Sequence, residues 1–362
     1  MNSQEQNLFI NLCKFKSEEF DESLLDYATP AVLGHLFFNR MQGIAYGTLK
    51  KHNLLSKVNR EFRNSLRVAY EQNQIKNQSY FQCLKLLNVI LRDCTCKYAL
   101  LKGALLCRIY PEGYRTSNDI DLLVSPEDVT EIGQLLKAAG FQQGNIRNDQ
   151  FTPATRREII ESKMMRGETV PYIKEVNLPG MKYMEVDINF SLDYKNGDTD
   201  TLHKMLNGVN GFNGIQTLDD HDFFLHLCGH LYKEAATIPW IRMKRDMTLY
   251  KYCDIYLLLS EMNAQNLNIL FQRAKQLGLE KICSFVIVQT MELFNIEHES
   301  ALLLAKQVLI NDPSFLHTVI SPRDQKLYVY AEKNIAARFF AEERIELLKE
   351  VKNNATLKNA QQ

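Results

Sequence analysis

Net charge is the first thing this sequence lacks: 43 Lys plus Arg are matched by 43 Asp plus Glu over 362 residues. A protein that coats long nucleic acid carries a basic excess, so that class is disfavoured, although a local basic patch is compatible with the balance. Cys-x-x-Cys pairs are absent as well. The eight cysteines are scattered and only Cys94 and Cys96 stand close together. No zinc framework is visible, and reduced thiols in a cytoplasmic protein are the plain reading. No uninterrupted apolar run approaches the ~20 residues that span a bilayer, so no membrane role is expected. The opening Met1-Asn-Ser-Gln-Glu-Gln-Asn7 has no basic segment followed by an apolar one, and no signal peptide is expected. There is no internal repeat, low-complexity tract or long linker.

What is present is a globular composition, 45% hydrophobic and 24% charged, at a length that predicts two or three domains. Residues 1–95 read as a helical domain. Leu8, Leu12 and Phe15 share a helical face, and a second apolar segment starts at Pro30. From Lys57 to Asp93 there is neither Gly nor Pro, and Phe62, Leu66, Ala69, Leu84, Leu87 and Leu91 recur at threes and fours. This predicts one long helix, or two with a kink near Asn77. From residue 217 onward the spacing is again helical, with helices expected at 265–277, 279–294, 298–308 and 332–353, and a frayed tail from Asn353 to Gln362.

Between these lies a different pattern, at 96–216. Tyr98-Ala-Leu-Leu101 is a short apolar run, followed by Lys102-Gly103-Ala104 and a helical segment ending at Pro111. Such a strand, glycine turn and helix would let backbone approach a phosphate, though a turn alone is the more frequent outcome. Next comes Arg115-Thr-Ser117-Asn-Asp119-Ile-Asp121-Leu-Leu-Val124. Along a strand Asp119 and Asp121 point to one side while Ile120 enters the core. Like charges repel, so such a pair at the start of a core strand calls for a cation between them; Mg²⁺ prefers few carboxylates plus substrate phosphate. A helix from Ser125 to Gly140 follows, then a polar, basic loop from 145 to 170 enclosing a helix at 154–165. Two strands flank Leu178-Pro-Gly180, and in the second Glu185, Asp187 and Asn189 alternate with Val186, Ile188 and Phe190. Alternation alone equally describes an edge strand with a solvated face.

Leu101-Lys-Gly-Ala, a helix, Arg115-x-Ser117-x-Asp119-Ile-Asp121, and a later strand with Asp187 together resemble the DNA polymerase β-like nucleotidyltransferase superfamily. Within it they resemble the bacterial branch of uncharacterised nucleotidyltransferases. The resemblance covers about residues 98–190 and implies an α+β fold: a small mixed β-sheet nucleotidyltransferase core, flanked by N-terminal (1–95) and C-terminal (217–362) helical domains. It implies that Asp119, Asp121 and Asp187 hold Mg²⁺, with Mn²⁺ as a substitute, and that an NTP, ATP among them, donates its NMP to an acceptor hydroxyl with release of pyrophosphate. Asp187 is then also the candidate base. Lys102, Gly103, Arg115 and Ser117 become candidate phosphate contacts. Lys102 is as well suited to a salt bridge, and Arg115 to a surface position. Ala104 departs from the Gly or Ser of many relatives and removes a hydroxyl from the turn.

Glu185 and Asn189 are candidate cleft-wall residues, Glu185 having Lys174 as an alternative partner. His226, His230 and Lys233 are further wall candidates. The two histidines stand one helical turn apart, but the Glu of His-Glu-x-x-His is missing, and a structural role is favoured over zinc. The single Trp240, followed by Arg242, Lys244, Arg245 and Asp246, could stack on or contact a base or acceptor, with a packing residue beside a solvated basic turn the slightly favoured reading. The expected acceptor is a small molecule or modified peptide; nucleic acid is less favoured. The competing functions are a toxin-type enzyme acting on tRNA or protein, and a catalytically silent nucleotide-binding regulator.

Overall fold

The computed structural model describes residues 1–192, 198–212 and 214–351; most of the frayed tail expected from Asn353 onward lies outside them. Two compact units emerge, residues 41–226, and residues 1–40 together with those from 227 onward. The fold is mixed α+β. Among the described residues no helix is long and apolar enough to cross a membrane.

The chain opens with α1 (Ser3–Cys13), whose start is a capping box between Asn2 and Glu5, and α2 (Pro30–Phe38), with Thr29 as N-cap and Pro30 at the first position. In the unit formed by residues 41–226, α3 (Gln42–Lys51) precedes α4 (Arg60–Ile90), a single helix of 31 residues with no break at Asn77. Asn77 is buried within it. Then come β1 (Tyr98–Leu100), α5 (Gly103–Ile109), β2 (Asp119–Val124), α6 (Val129–Ala138), β3 (Gln142–Arg147) and β4 (Gln150–Pro153). After them follow α7 (Arg156–Arg166), β5 (Tyr172–Leu178), β6 (Met181–Asn189), α8 (Thr199–Leu206) and the hairpin β7 (Asn210–Phe212) with β8 (Ile215–Thr217).

Six of these strands form one sheet in the order β1-β2-β6-β5-β3-β4. β2 runs parallel to β6, and the other pairings are antiparallel. Ile120, Leu122, Val186 and Ile188 are fully buried, so the apolar positions of both alternating strands enter the core as expected. The loop expected around 145–153 is instead the β3–β4 hairpin. Asn148 and Asp149 take φ of 49° and 57° at its two-residue turn. Asn and Asp tolerate this left-handed region, which lets a tight hairpin form without glycine.

The remaining elements are α9 (Asp220–Ala235), α10 (Ile238–Arg242), α11 (Leu249–Ser260), α12 (Ala264–Gln276), α13 (Glu280–Phe294) and α14 (Glu299–Leu309). They are followed by β9 (Thr318–Ser321), β10 (Lys326–Tyr330), α15 (Ile335–Phe340) and β11 (Leu348–Glu350). The expected helix at 332–353 is thus corrected to one short helix, a 3₁₀ turn at Arg344–Leu347 and a strand. Two features account for this. Arg344 clamps the buried Asp246 through Nε and Nη2, both at 2.8 Å, and Leu347 and Leu348 pack on the Ile238, Ile241, Val319 and Tyr330 cluster. Leaving either charge of this buried pair without its partner would be costly, so the path that keeps Arg344 on Asp246 is held against the helical preference of a few charged residues.

Candidate active site

The parallel register of β2 and β6 builds the site. Asp119 lies opposite Glu185, Asp121 opposite Asp187, and Leu123 opposite Asn189. Partners in register point to the same side of a sheet, so Asp119, Asp121, Glu185, Asp187 and Asn189 share one face. Lys102 Nζ stands 2.8 Å from Asp121 Oδ1, and Asn189 Nδ2 reaches the same oxygen at 3.4 Å. Ser117 donates its hydroxyl to Asp119 Oδ1 at 3.0 Å. Lys102 therefore makes the salt bridge. Arg115 is buried rather than on the surface, and donates to the carbonyl of Thr116. Glu185 does not pair with Lys174: that lysine lies opposite Met184 and donates to the carbonyl of Ala139 at 2.7 Å.

The carboxylates are not equivalent. Asp187 Oδ1 is buried and has no hydrogen-bond partner. Burial first, and then the charges of Asp121, Asp119, Glu185 and Glu168, push the Asp187 carboxyl well above the usual range. Glu185 is raised too, by burial and then by Asp119 and Asp121. A cavity of 770 Å³ opens onto Asp187, with Asn145, Arg147, Glu158, Glu161, Ser162 and Glu168 among its other lining residues. Arg147 Nη2 and Glu158 Oε1, both in its lining, lie 3.6 Å apart.

Neighbouring elements hold the motif in place. Tyr80 on α4 is fully buried and donates to the carbonyl of Asp119 at 3.0 Å, and Asn73 Nδ2 donates to the carbonyl of Gly113 at 2.9 Å. Lys76 and Asn118 also join. The long helix thus fixes the loop that feeds β2. Lys102 adopts φ 43° and ψ −111°, a conformation costly for a residue with a side chain. The amide of Leu101 donating to the carbonyl of Asp121 at 3.0 Å helps hold the turn there.

Gly103 has a packing reason of its own. A Cβ at this position would lie 2.4 Å from both Cβ and Oγ of Ser117. Gly103→Ala is therefore expected to destabilise the fold by about 1–3 kcal/mol in urea denaturation, as an overpacked contact does. An unchanged midpoint would show that Ser117 moves aside freely.

The other expected wall residues lie on α9. His226 is buried; His230 Nε2 is 3.4 Å from Glu234, which also takes Lys251. Lys233 is half-buried. Trp240 is half-buried with Lys251 Nζ 5.9 Å from its ring, while Arg242, Lys244 and Arg245 are exposed. Sequence reasoning missed Glu168, Tyr80 and Asn73. The first enters through a bridge to Asn189, and the other two stand on a helix whose spacing speaks only of burial.

Among the described residues, three His, Cys, Asp or Glu donors within 4.8 Å of one another occur at Cys94, Cys96 and Glu131 and not at the aspartate triad. Lys102 stands on Asp121 instead. A family model described as "Uncharacterised nucleotidyltransferase" matches residues 30–295. No curated protein matches the chain.

Proposed function

From the premise that the chain belongs to the uncharacterised nucleotidyltransferase family, we propose that it transfers a nucleoside monophosphate from an NTP to an acceptor hydroxyl. Pyrophosphate leaves, and residues 96–216 form a core of the DNA polymerase β-like kind. The observation that carries this reading is the β2–β6 register, which sets Asp121 beside Asp187 and Asp119 beside Glu185 on one face. Phosphoryl transfer needs positioning and charge neutralisation above all, and this face supplies the scaffold for both.

The donor chemistry of the three aspartates, carboxylate oxygens alone, suits a hard divalent cation, although they do not converge within 4.8 Å of one another. Asp187 Oδ1 is buried without a hydrogen-bond partner, and its neighbours are carboxylates whose combined charge asks for neutralisation. Asp119, Asp121 and Asp187 would hold Mg²⁺, or Mn²⁺ in its place. Bound there, the metal would offset triphosphate charge and lower the pKa of the acceptor hydroxyl. Asp187 borders the cavity and would act as the base that takes the acceptor proton. Ser117 orients Asp119, Lys102 brings positive charge beside Asp121, and Lys102 and Arg115 are the proposed phosphate contacts. The 770 Å³ cavity is within the range of small-ligand sites, roughly 300–1,000 Å³, which supports a small molecule or short peptide as acceptor.

One observation favours a second reading, a regulator that binds nucleotide without chemistry: Lys102 already neutralises Asp121 at 2.8 Å. Calorimetric titration of each NTP with and without Mg²⁺, on the wild type and on Asp119→Asn with Asp121→Asn, separates the two. Transferase chemistry predicts Mg²⁺-dependent binding of an NTP that the double variant loses. Equal binding with and without Mg²⁺ supports the regulator, and no binding of any NTP under either condition would sink both.

A further inference from the structure

The half-buried cysteine pair lies at the other end of the central strand. Tyr98 pairs with Val124, whereas Asp119 begins β2. Five residues of strand separate these ends, roughly 16 Å. Cys94 and Cys96 sit in the connection between α4 and β1, and their Sγ atoms are 2.7 Å apart. Glu131, in the first turn of α6, faces them. Its Oε1 accepts from the amide of Thr95 at 3.0 Å and from the Thr95 hydroxyl at 3.1 Å. One Sγ from each cysteine and one Glu131 oxygen lie within 4.8 Å of one another.

We propose that Cys94, Cys96 and Glu131 bind a zinc-class divalent cation, at a site separate from the carboxylate face of β2 and β6. Two sulfurs and one carboxylate oxygen are a donor set for a thiophilic ion of flexible geometry, and a poor one for Mg²⁺. Thr95, between the two cysteines, holds the carboxylate through its amide and hydroxyl, as an outer-shell partner orients a ligand. A disulfide within this loop would join residues two apart and leave Glu131 without a part in it. An ion joins the loop to α6. Binding is a proton-for-metal exchange: two S–H bonds break, two S–metal bonds form, and two protons go to solvent while Glu131 contributes an existing lone pair. No oxidant is involved.

The sequence gives little sign of this site because Glu131 stands thirty-five residues beyond Cys96. The other six cysteines are buried, so alkylation of the folded full-length chain reads these two thiols. Metal-free, reduced protein is alkylated with and without Zn²⁺, and the peptide carrying Cys94 and Cys96 is quantified by mass spectrometry. Protection of both thiols by Zn²⁺ is expected. Titration with Co²⁺ should give one equivalent with a near-ultraviolet thiolate-to-metal band. That band should vanish in Cys94→Ser with Cys96→Ser and persist in Asp119→Asn with Asp121→Asn. Glu131→Gln should weaken Co²⁺ binding by at least about tenfold. Equal labelling with and without Zn²⁺, absence of the band, or a band unchanged in the serine variant would overturn the proposal. The labelling arm uses wild type alone and decides the matter even if the variants fold poorly. None of these outcomes depends on NTP binding.

Discussion

Asp121→Asn is expected to lower nucleotidyl transfer by about a thousandfold or more, while the chain keeps its fold. Asp121 stands at the centre of the polar face. It lies opposite Asp187 in register, within 3.4 Å of Asn189, and 2.8 Å from Lys102. Asparagine is nearly isosteric and still accepts from Lys102, so packing and the backbone bond from Leu101 survive. What disappears is one negative charge where transferring phosphate must be neutralised. Groups that neutralise charge in a transition state are worth roughly 10²–10⁵ in rate, so a loss near 10³ corresponds to about 4 kcal/mol. The measurement is turnover of the NTP identified by titration, with circular dichroism to verify the fold. An Asp121→Asn enzyme within tenfold of wild type would remove Asp121 from the machinery. Lys102→Met separates the roles of the lysine. If it only neutralises Asp121, its loss should strengthen Mg²⁺ binding; if it contacts phosphate, NTP affinity should fall.

The face itself was legible because β-strands have period two. Asp119 and Asp121, then Glu185, Asp187 and Asn189, alternate with residues that are fully buried, and that alternation needs only the sequence to be read. Which strand lies beside which was not legible. The pairing of Asp121 with Asp187 spans sixty-six residues of chain, and local spacing carries no information about it. The β3–β4 hairpin escaped for a different reason. Its turn residues Asn148 and Asp149 do signal a tight turn, but the flanking Arg147 and Gln150 are polar, and apolar alternation is weak. The C-terminal strand Leu348–Glu350 was hidden by helix-forming composition, which the Arg344–Asp246 ion pair and the packing of Leu347 and Leu348 override. Lys102 shows the limit most plainly. Spacing brings a lysine to the turn, yet only the positive φ and the resulting reach to Asp121 decide what its ammonium touches.

Asp187→Asn should cost activity on the same thousandfold scale and at the same time stabilise the metal-free protein at neutral pH. Oδ1 of Asp187 is buried without a partner, with Asp121, Asp119, Glu185 and Glu168 close enough to oppose its ionisation. Its carboxyl is raised in the folded state above its unfolded value of about 3.9. The folded protein therefore holds the Asp187 proton more tightly than the unfolded chain. The stabilisation this gives is complete below the unfolded value and is lost as pH rises through the folded one. Glu185 adds in the same direction. With chelator present, wild type should accordingly melt at a higher temperature at mildly acidic pH than at pH 8, and Asp187→Asn should flatten that slope. At neutral pH the variant is expected to gain about 1–3 kcal/mol, the scale of a buried polar group relieved of an unmet demand. Saturating Mg²⁺ should raise the wild-type melting temperature and leave the variant nearly unmoved, since an ion that binds only the folded state stabilises it by mass action. A variant less stable than wild type under chelator would show that Asp187 is an ordinary structural carboxylate. Stability gained where activity is lost is instead the signature of a residue kept at a cost to the fold for the charge it brings to the site.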